Sequence, residues 1–315
     1  MMIDKQYFKA NMAIYFGDLL LSLTVLIVSF IHCLDASGLP FIALYLVCIV
    51  SLYRAGAFVH EICHRHRNEQ MRIFSTFWNL TVGAIVLVPA ARFFKPHLTH
   101  HSIGVFGTKD DPQYLLLRSD RKLAFFVLVV IPFIMPLFSL MLMVSAAVAG
   151  LTAEEAVERF VQRRSHTVGS VPQDEDKDQI IRLSRYYLPL FLLYVWLFPE
   201  TLPLMYMVQV GAWWLVTLRI PLEHSMVHYV EKSDRHDHVL DSFTVEAPLA
   251  ALLQPLGLRF HTAHHMYPGV PYHKLAALHA ELKARDNEYR NNVISFWTAV
   301  RGPVRTPPTD ITTAG

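Results

Sequence analysis

The chain has 315 residues, of which 53% are hydrophobic and only 17% are charged, and its mean hydropathy is positive. Because a soluble globular chain carries about 25% charged residues, this composition favours an integral membrane protein. The formal net charge of +2 excludes the strongly basic balance that is typical of nucleic-acid-binding proteins. The three cysteines form no CxxC pair, which argues against a disulfide framework and indicates reduced thiols.

Two apolar stretches at the start of the chain predict a transmembrane hairpin. Residues 12–34 are long enough to cross a bilayer, which requires about 20 residues. No small-residue cleavage site follows them, so we interpret them as a retained helix and not as a signal peptide. A short turn at residues 35–39 leads into residues 40–58, which return His60 to the side on which the chain began.

The second half contains two further apolar regions. Residues 123–151 are uncharged and contain Pro132 and Pro136, so they form either one kinked crossing or a tight hairpin. Residues 186–218 are interrupted by two prolines near residue 200, which predicts two short membrane helices.

The stretch between these apolar regions is polar. The sequence predicts a helix capped by Thr152 and an exposed loop over residues 168–178, and the arginines of residues 152–185 favour a cytoplasmic location. We expect one membrane domain over residues 1–302 and a disordered tail over residues 303–315.

Three histidine clusters dominate the sequence: HxxxH at residues 60–64, and HxxHH at residues 97–101 and 261–265. On a helix, positions i, i+3 and i+4 share one face, so these imidazoles can converge on a point. Imidazole is the commonest neutral ligand of transition metals. Eight histidines are too many for one ion, so they predict two neighbouring metals. Chance clustering of surface histidines is a poor explanation for two copies of one pattern.

His224 and His228 form another pair at spacing i, i+4. We expect His224 to complete the ligand shell of one metal, and His228 to be an additional ligand or a group that orients one. Nitrogen-rich sites without thiolate suit zinc, copper, iron or nickel, whereas structural zinc sites close with four ligands that usually include cysteine. The ligand set therefore favours a redox-active pair of ions, with iron as the best candidate.

The position of the clusters constrains the topology. Each cluster lies just outside an apolar run, which predicts a metal site at the membrane surface. A metal transporter, the alternative from another class, would carry its ligands near the bilayer midplane. Residues 73–91 are also uncharged, but a single crossing there would place the first two clusters on opposite faces. We therefore predict that this stretch dips into the membrane and returns, or lies along its surface.

The three clusters, in this order and separated by membrane stretches, resemble those of the membrane fatty acid desaturase superfamily. Residues 264–275 are similar to the HHLFP-x-x-P-x-Y-x-L stretch of acyl-lipid desaturases, and the resemblance covers about residues 40–285. It implies a histidine-held di-iron centre, activation of dioxygen, and removal of hydrogen from an unactivated C–H bond. His224 matches the isolated Glu-His that these enzymes carry between the second and third clusters. The implied metal ligands are His60, His64, His97, His100, His101, His224, His261, His264 and His265.

The resemblance also implies a fold and a function. The expected fold is all-α, with about four transmembrane helices, interfacial helices and a cytoplasmic cap that holds the di-iron site. The expected reaction introduces a double bond into a fatty acyl chain, bound to lipid or carrier, with two irons as cofactor and O2 as co-substrate. The chain lacks a GxGxxG fingerprint and a cysteine cluster, so we expect a separate electron donor, a ferredoxin or small cytochrome with its reductase.

The expected surroundings are membrane lipids, with no nucleic acid, and a bacterial inner membrane with the metal site on its cytoplasmic side. One alternative stays open because the first cluster is His-Glu, as in alkane monooxygenases, where many acyl desaturases have His-Asp. The enzyme is then a hydroxylase, monooxygenase or ketolase that acts on an alkane, a carotenoid or a specialised metabolite.

Candidates for supporting residues follow from chemistry, because a metal-bound histidine usually donates its other N–H to a carboxylate or a carbonyl. Asp111 and Glu223 are the strongest candidates for this role or for additional ligation. The helical phase predicts that His66 points away from its neighbours. The weaker carboxylate candidates are Glu61, Asp110 and Asp241, and two histidines predicted to be solvated are His236 and His238.

Overall fold

The structure is a computed structural model of the chain, and it describes residues 3–151, 155, 174–234, 238–239 and 241–302. The described part is almost entirely helical, as the sequence predicts. Its first elements are α1 (Met12–Asp35), α2 (Gly38–Arg65), α3 (Glu69–Trp78), α4 (Ala84–Val86), α5 (Ala91–His100), α6 (Arg121–Phe125), α7 (Ile131–Ala149), α8 (Asp174–Leu197) and α9 (Leu202–Glu223). The later elements are α10 (Pro248–Leu253), α11 (His261–Met266), α12 (Tyr272–Arg285), α13 (Asn287–Asn291) and α14 (Phe296–Arg301).

Five helical stretches in the described residues are long and apolar enough to cross a membrane, one more than the sequence led us to expect. A bent sixth stretch counts only if it is a broken span. Large apolar side chains cover the outer surfaces of these helices, which fits contact with lipid. Examples are Leu21, Ile31, Phe125, Leu192 and Trp196, all of which are exposed. The five candidate stretches are Met12–Asp35, Gly38–Arg65, Arg121–Ala149, Asp176–Leu197 and Pro199–Glu223.

The predicted hairpin at the start of the chain is confirmed. The side chain of Asn11 caps α1 by accepting a hydrogen bond from the N–H of Ala13 at 3.0 Å. Within the hairpin, Asp18 of α1 and Arg54 of α2 form an ion pair at 3.0 Å. Pairing is what such groups require inside a membrane, because an isolated charge there is costly. The beginning of α1 and the end of α2 therefore lie at one end of the molecule.

The predicted return of residues 73–91 is also confirmed. The stretch Glu69–Val86 and the helix Ala91–His100 meet at an angle of 98°. Between them the backbone forms a π-helical turn (Asn79–Gly83), and Leu87 adopts a left-handed conformation with φ 58°. The side-chain oxygen of Asn79 accepts the N–H of Ala90 at 2.8 Å, so a donor freed at the bend stays paired.

The remaining apolar regions are helical. Residues 121–149 form one helical stretch, in which a π-helical turn (Phe126–Val130) joins α6 to α7. The predicted break near residue 200 is a 3-10 turn (Pro199–Thr201) between α8 and α9. Residues 174–178, predicted as part of a loop, form the first turns of α8 instead.

The C-terminal part of the described chain consists of short elements. Strands β1 (Thr244–Val245) and β2 (Val293–Ile294) pair in parallel, with Thr244 opposite Val293. Two antiparallel bridges join His224 to Ser242 and Thr244 to Phe260, and so attach the ends of α9 and α11 to this small sheet. The predicted N-cap at Thr152, residues 168–173 and the tail after residue 302 lie outside the described residues, and the boundary of the membrane domain stays a prediction.

A glycine in α9 provides a test of the helix packing. A Cβ added at Gly211 would come within 2.6 Å of Cγ1 of Ile49 in α2, whereas a Cβ added at Gly56 meets nothing within 4 Å. We expect Gly211→Ala to lower the thermal unfolding temperature in detergent, because overpacking costs about 1–3 kcal/mol and exceeds the helix-propensity gain of about 1 kcal/mol. Gly56→Ala, the matched control, should be neutral or stabilising, and equal behaviour of the two variants would contradict the packing.

Candidate metal centre

Four helices, with the residues directly after two of them, bring the histidines to one place. The last turns of α2 carry His60 and His64, and α11 carries the third cluster. Helix α5 carries His97 and His100, and His101 directly follows it. His224 directly follows α9. Because α5 returns to the end of the molecule at which α2 ends, Nε2 of His64 lies 2.9 Å from Nε2 of His97.

The nine histidines divide into two groups, which we call group A and group B. In group A, which is defined below, one ring nitrogen from each histidine lies within 4.8 Å of those of the other members. The same holds for His100, His224 and His265 in group B. His261 belongs to group B because its Nε2 lies 3.0 Å from Nε2 of His224 and 3.1 Å from Nε2 of His265. Group A is His60, His64, His97, His101 and His264, and group B is His100, His224, His261 and His265.

The two HxxHH clusters each supply both groups. In α5, His97 and His101 lie in group A while His100 lies in group B. In α11, His264 lies in group A, whereas His261 and His265 lie in group B. The adjacent rings of His101 and His265 are stacked at 4.1 Å between centroids, so the groups are direct neighbours. This arrangement fits two metal ions side by side, each with its own set of nitrogen ligands.

The electrostatic state of the histidines favours metal binding. Burial lowers the pKa of His264 to about 3, and the charges of His100 and Arg219 act in the same direction. Burial likewise holds the pKa values of His224, His261 and His265 well below their usual range. These imidazoles are therefore neutral near pH 7, which is the form that coordinates metal.

His60 tests whether a metal fits this centre. Both of its ring nitrogens are buried, and neither has a hydrogen-bond partner among the described residues. Leaving a buried polar atom unpaired costs about 1–3 kcal/mol, so a protein rarely retains such a group without use for it. Since Nε2–Nε2 contacts of about 3 Å recur across both groups, the donor set fits metal ions bound between the rings.

In three of the histidines, Nδ1 contacts an oxygen atom outside the two groups. His100 Nδ1 donates to the carboxylate of Asp111 at 2.8 Å, and His97 Nδ1 donates to the side-chain oxygen of Gln113 at 2.8 Å. His224 Nδ1 lies 3.2 Å from the carbonyl oxygen of Asp241. Such contacts fix the tautomer, so that Nε2 presents its lone pair to the centre. The role proposed for Asp111 is thus supported by its geometry.

Glu223 occupies a different position, between a cation and group B. One carboxylate oxygen lies 3.1 Å from Nε of Arg219, and the other lies 4.0 Å from Nε2 of His261. The Glu223 side chain is buried, and the Arg219 side chain is 14% exposed. An uncompensated arginine here would repel metal ions, so the carboxylate neutralises a charge that would otherwise oppose binding.

Four other expectations have mixed outcomes. His228 is exposed and belongs to neither group, so the structure does not support it as a ligand. Glu61 does not contact a histidine through its carboxylate; it accepts hydrogen bonds from Tyr15 Oη–H and from the N–H of Tyr272. His66 points away from its neighbours, as predicted, and stacks on Phe94. Asp110 is exposed, in contrast to the buried Asp111 next to it.

Sequence reasoning missed two residues of the centre. His238, predicted to be solvated, is buried, and its ring lies 4.3 Å from Phe106 and 5.5 Å from His265 between centroids. Gln113, which orients His97, carried no signal except its position just after Asp111. His236 lies outside the described residues.

Comparisons with known proteins point to one family. A family model described as fatty acid desaturase matches residues 37–297, a range that includes all nine histidines. The chain is also 27% identical over 300 residues to a ceramide hydroxylase from Caulobacter vibrioides (strain NA1000 / CB15N). That alignment covers 90% of this chain and 84% of the relative.

Asp111 allows a test of the support behind the histidines. Besides His100, its carboxylate accepts the N–H groups of Gly107 and Gln113 at 2.8 and 3.0 Å, which an asparagine cannot reproduce with a single acceptor oxygen. We expect Asp111→Asn to weaken metal retention about 10–100-fold, measured by chelator competition and elemental analysis. Asp110→Asn is the matched control, and equal metal retention in both variants would show that Asp111 does not support the site.

Proposed function

Since the chain belongs to the fatty acid desaturase family, we propose that it is an O2-dependent membrane oxidoreductase that hydroxylates an unactivated C–H bond in the long hydrocarbon chain of a ceramide-like lipid. The observation that carries the proposal is the convergence of nine histidines into two adjacent groups at one end of the membrane helices. The similarity to a ceramide hydroxylase over most of the chain supports hydroxylation and this substrate class.

The residues present fit a pair of irons, with group A holding one ion and group B the other. When bound, such a pair supplies the binding and reduction of dioxygen and the oxidising power to break a C–H bond. The protein's own groups do the rest: Asp111 and Gln113 fix ring orientation, Glu223 offsets the charge of Arg219, and the buried positions of group B exclude water.

The overall reaction balances with two electrons from an external donor. Hydroxylation converts R–H, O2, two electrons and two protons into R–OH and water. Desaturation, the second candidate, converts –CH2–CH2– with the same oxidant, electrons and protons into –CH=CH– and two waters. The third histidine cluster, which is similar to that of acyl-lipid desaturases, favours this second candidate.

We place the metal-bearing end of the helices on the cytoplasmic side of the membrane. The segments at this end carry Arg65, Arg67, Arg121 and Lys122. At the opposite end, the links at residues 36–37 and 198–201 contain no lysine or arginine. An excess of cations on one side is typical of cytoplasmic loops. This orientation is accessible to a soluble electron donor inside the cell and to a lipid that enters from the bilayer.

Isotope labelling tests the reaction. The protein is expressed in a host that lacks the activity, under 18O2, and its ceramide-like and other acyl lipids are analysed by mass spectrometry. We expect a product that is heavier by one 18O atom, whereas desaturation yields a product that lacks two hydrogens and contains no label. His264→Ala removes a ring nitrogen of group A and should abolish the product. If host cells express the wild-type protein in an iron-containing form and their lipids are unchanged, both candidate reactions are contradicted.

A further inference from the structure

The two histidine groups differ in their contact with solvent. All four members of group B are buried, whereas in group A the side chains of His64 and His101 are partly exposed. His64 lines an open cavity of about 320 Å³ at the surface, together with Phe8, Arg65, His66, Arg67, Asn68 and Gly269. This cavity therefore brings solvent to a histidine of group A.

A second cavity is lined by residues that lie close in sequence to those of the first. It has a volume of about 520 Å³, and its lining includes Lys9, Asn11, Gln70, His273 and Lys274. The lining residues of both cavities come from the same three segments of the chain, residues 8–14, 64–70 and 269–274. We call the combined feature the basic groove, since its lining contains cationic side chains and, among the described residues, no carboxylate.

The cationic side chains of the basic groove differ in their contacts and in their exposure to solvent. Arg65 is used internally: its guanidinium donates to the carbonyl oxygens of Gly269 at 2.7 Å and Phe8 at 3.1 Å, and so holds two walls together. Arg67 and Lys9 are exposed. The carboxylate nearest in sequence, Glu69, pairs with Arg72 at 3.7 Å. The groove therefore presents positive charge around an opening whose floor includes a histidine of group A.

We infer that the basic groove is the docking surface for an acidic one-electron carrier protein, a small iron–sulfur or haem protein, which delivers electrons to the metal centre past His64. The inference rests on the proposed function, because the reaction needs two electrons per turnover. Each docked carrier is oxidised by one electron and leaves, and a second carrier repeats the step. The protons that accompany the electrons come from water.

The position of the opening favours a carrier protein over anionic lipid headgroups. Both would be attracted by the charges, since the groove lies where α1 begins and α2 ends. A lipid surface, however, has no need of an opening at a metal-facing histidine, whereas an electron carrier must approach the centre closely. Group A, which contains the partly exposed histidines, also contains both histidines of α2, and one of them, His64, lines the groove.

Charge reversal in the groove tests this docking. The full chain is placed in nanodiscs of neutral lipid, and binding of three acidic probes is measured at several salt concentrations: a [2Fe–2S] ferredoxin, a rubredoxin and a soluble b-type cytochrome. We expect at least one probe to bind, to weaken as salt rises, and to lose roughly tenfold affinity in Lys9→Glu/Arg67→Glu. In donor-driven turnover, most of the loss should appear in KM for the carrier.

Arg121→Glu is the matched control, because Arg121 is an exposed arginine at the same end of the molecule but outside the groove. It should bind the carrier as the wild type does, and metal content should be equal in all variants. Equal loss in the control and the groove variant would overturn the proposal. So would the absence of salt-sensitive binding of all three probes.

Two further outcomes separate the alternatives. If charge reversal weakens binding only to vesicles of anionic phosphatidylglycerol and not to any carrier, the groove belongs to the lipid surface and the docking proposal is wrong. If a carrier binds through the groove but no lipid is oxidised in the wild type, the docking stands and the proposed function fails.

Discussion

The return of the chain between α3 and α5 is the constraint on which the metal centre depends. The first histidine cluster lies at the end of α2, and α5 can meet it only if the intervening segment does not cross the membrane. An apolar segment that turns back within the bilayer must still pair its backbone groups. Asn79 meets this need at the bend, since its side chain accepts the N–H of Ala90 and its own carbonyl oxygen accepts Oη–H of Tyr187 in α8. The polar Asn79 within the apolar residues 73–91 is therefore explained by the backbone groups that it pairs at the bend.

The HxxHH pattern has a similarly simple explanation once two groups are recognised. Positions i and i+4 of a helix share a face, whereas adjacent positions point about 100° apart. In the second cluster, His97 and His101 therefore reach one group while His100 reaches the other. In the third cluster the outer pair, His261 and His265, reaches group B and His264 reaches group A. Two short helices that each contribute to both groups also hold the groups at a fixed separation.

The sequence was sufficient to predict features that arise from local pattern or from a topological requirement. The convergence of the histidines, the return of residues 73–91 and the break between α8 and α9 belong to this class. Features that depend on packing between distant segments could not be predicted. Glu61 is adjacent to a histidine in sequence, yet its partners are Tyr15 and Tyr272, which lie 46 and 211 residues away. His238 is in a polar stretch, and only the fold places it against Phe106.

The contacts of Glu61 also show how the first and third clusters keep their relative positions without relying on a metal. Its carboxylate joins α1, α2 and the beginning of α12, immediately after the loop that follows α11. The hydroxyl of Tyr272 donates in turn to Asp18 at 2.7 Å, and Asp18 pairs with Arg54. Because the buried carboxylate of Glu61 and the partly exposed carboxylate of Asp18 each receive two donors, the network is stable. It holds α2 and the beginning of α12 together near His60 and His264, whose ring centroids lie 4.2 Å apart, so hydrogen bonds support the assembly of group A.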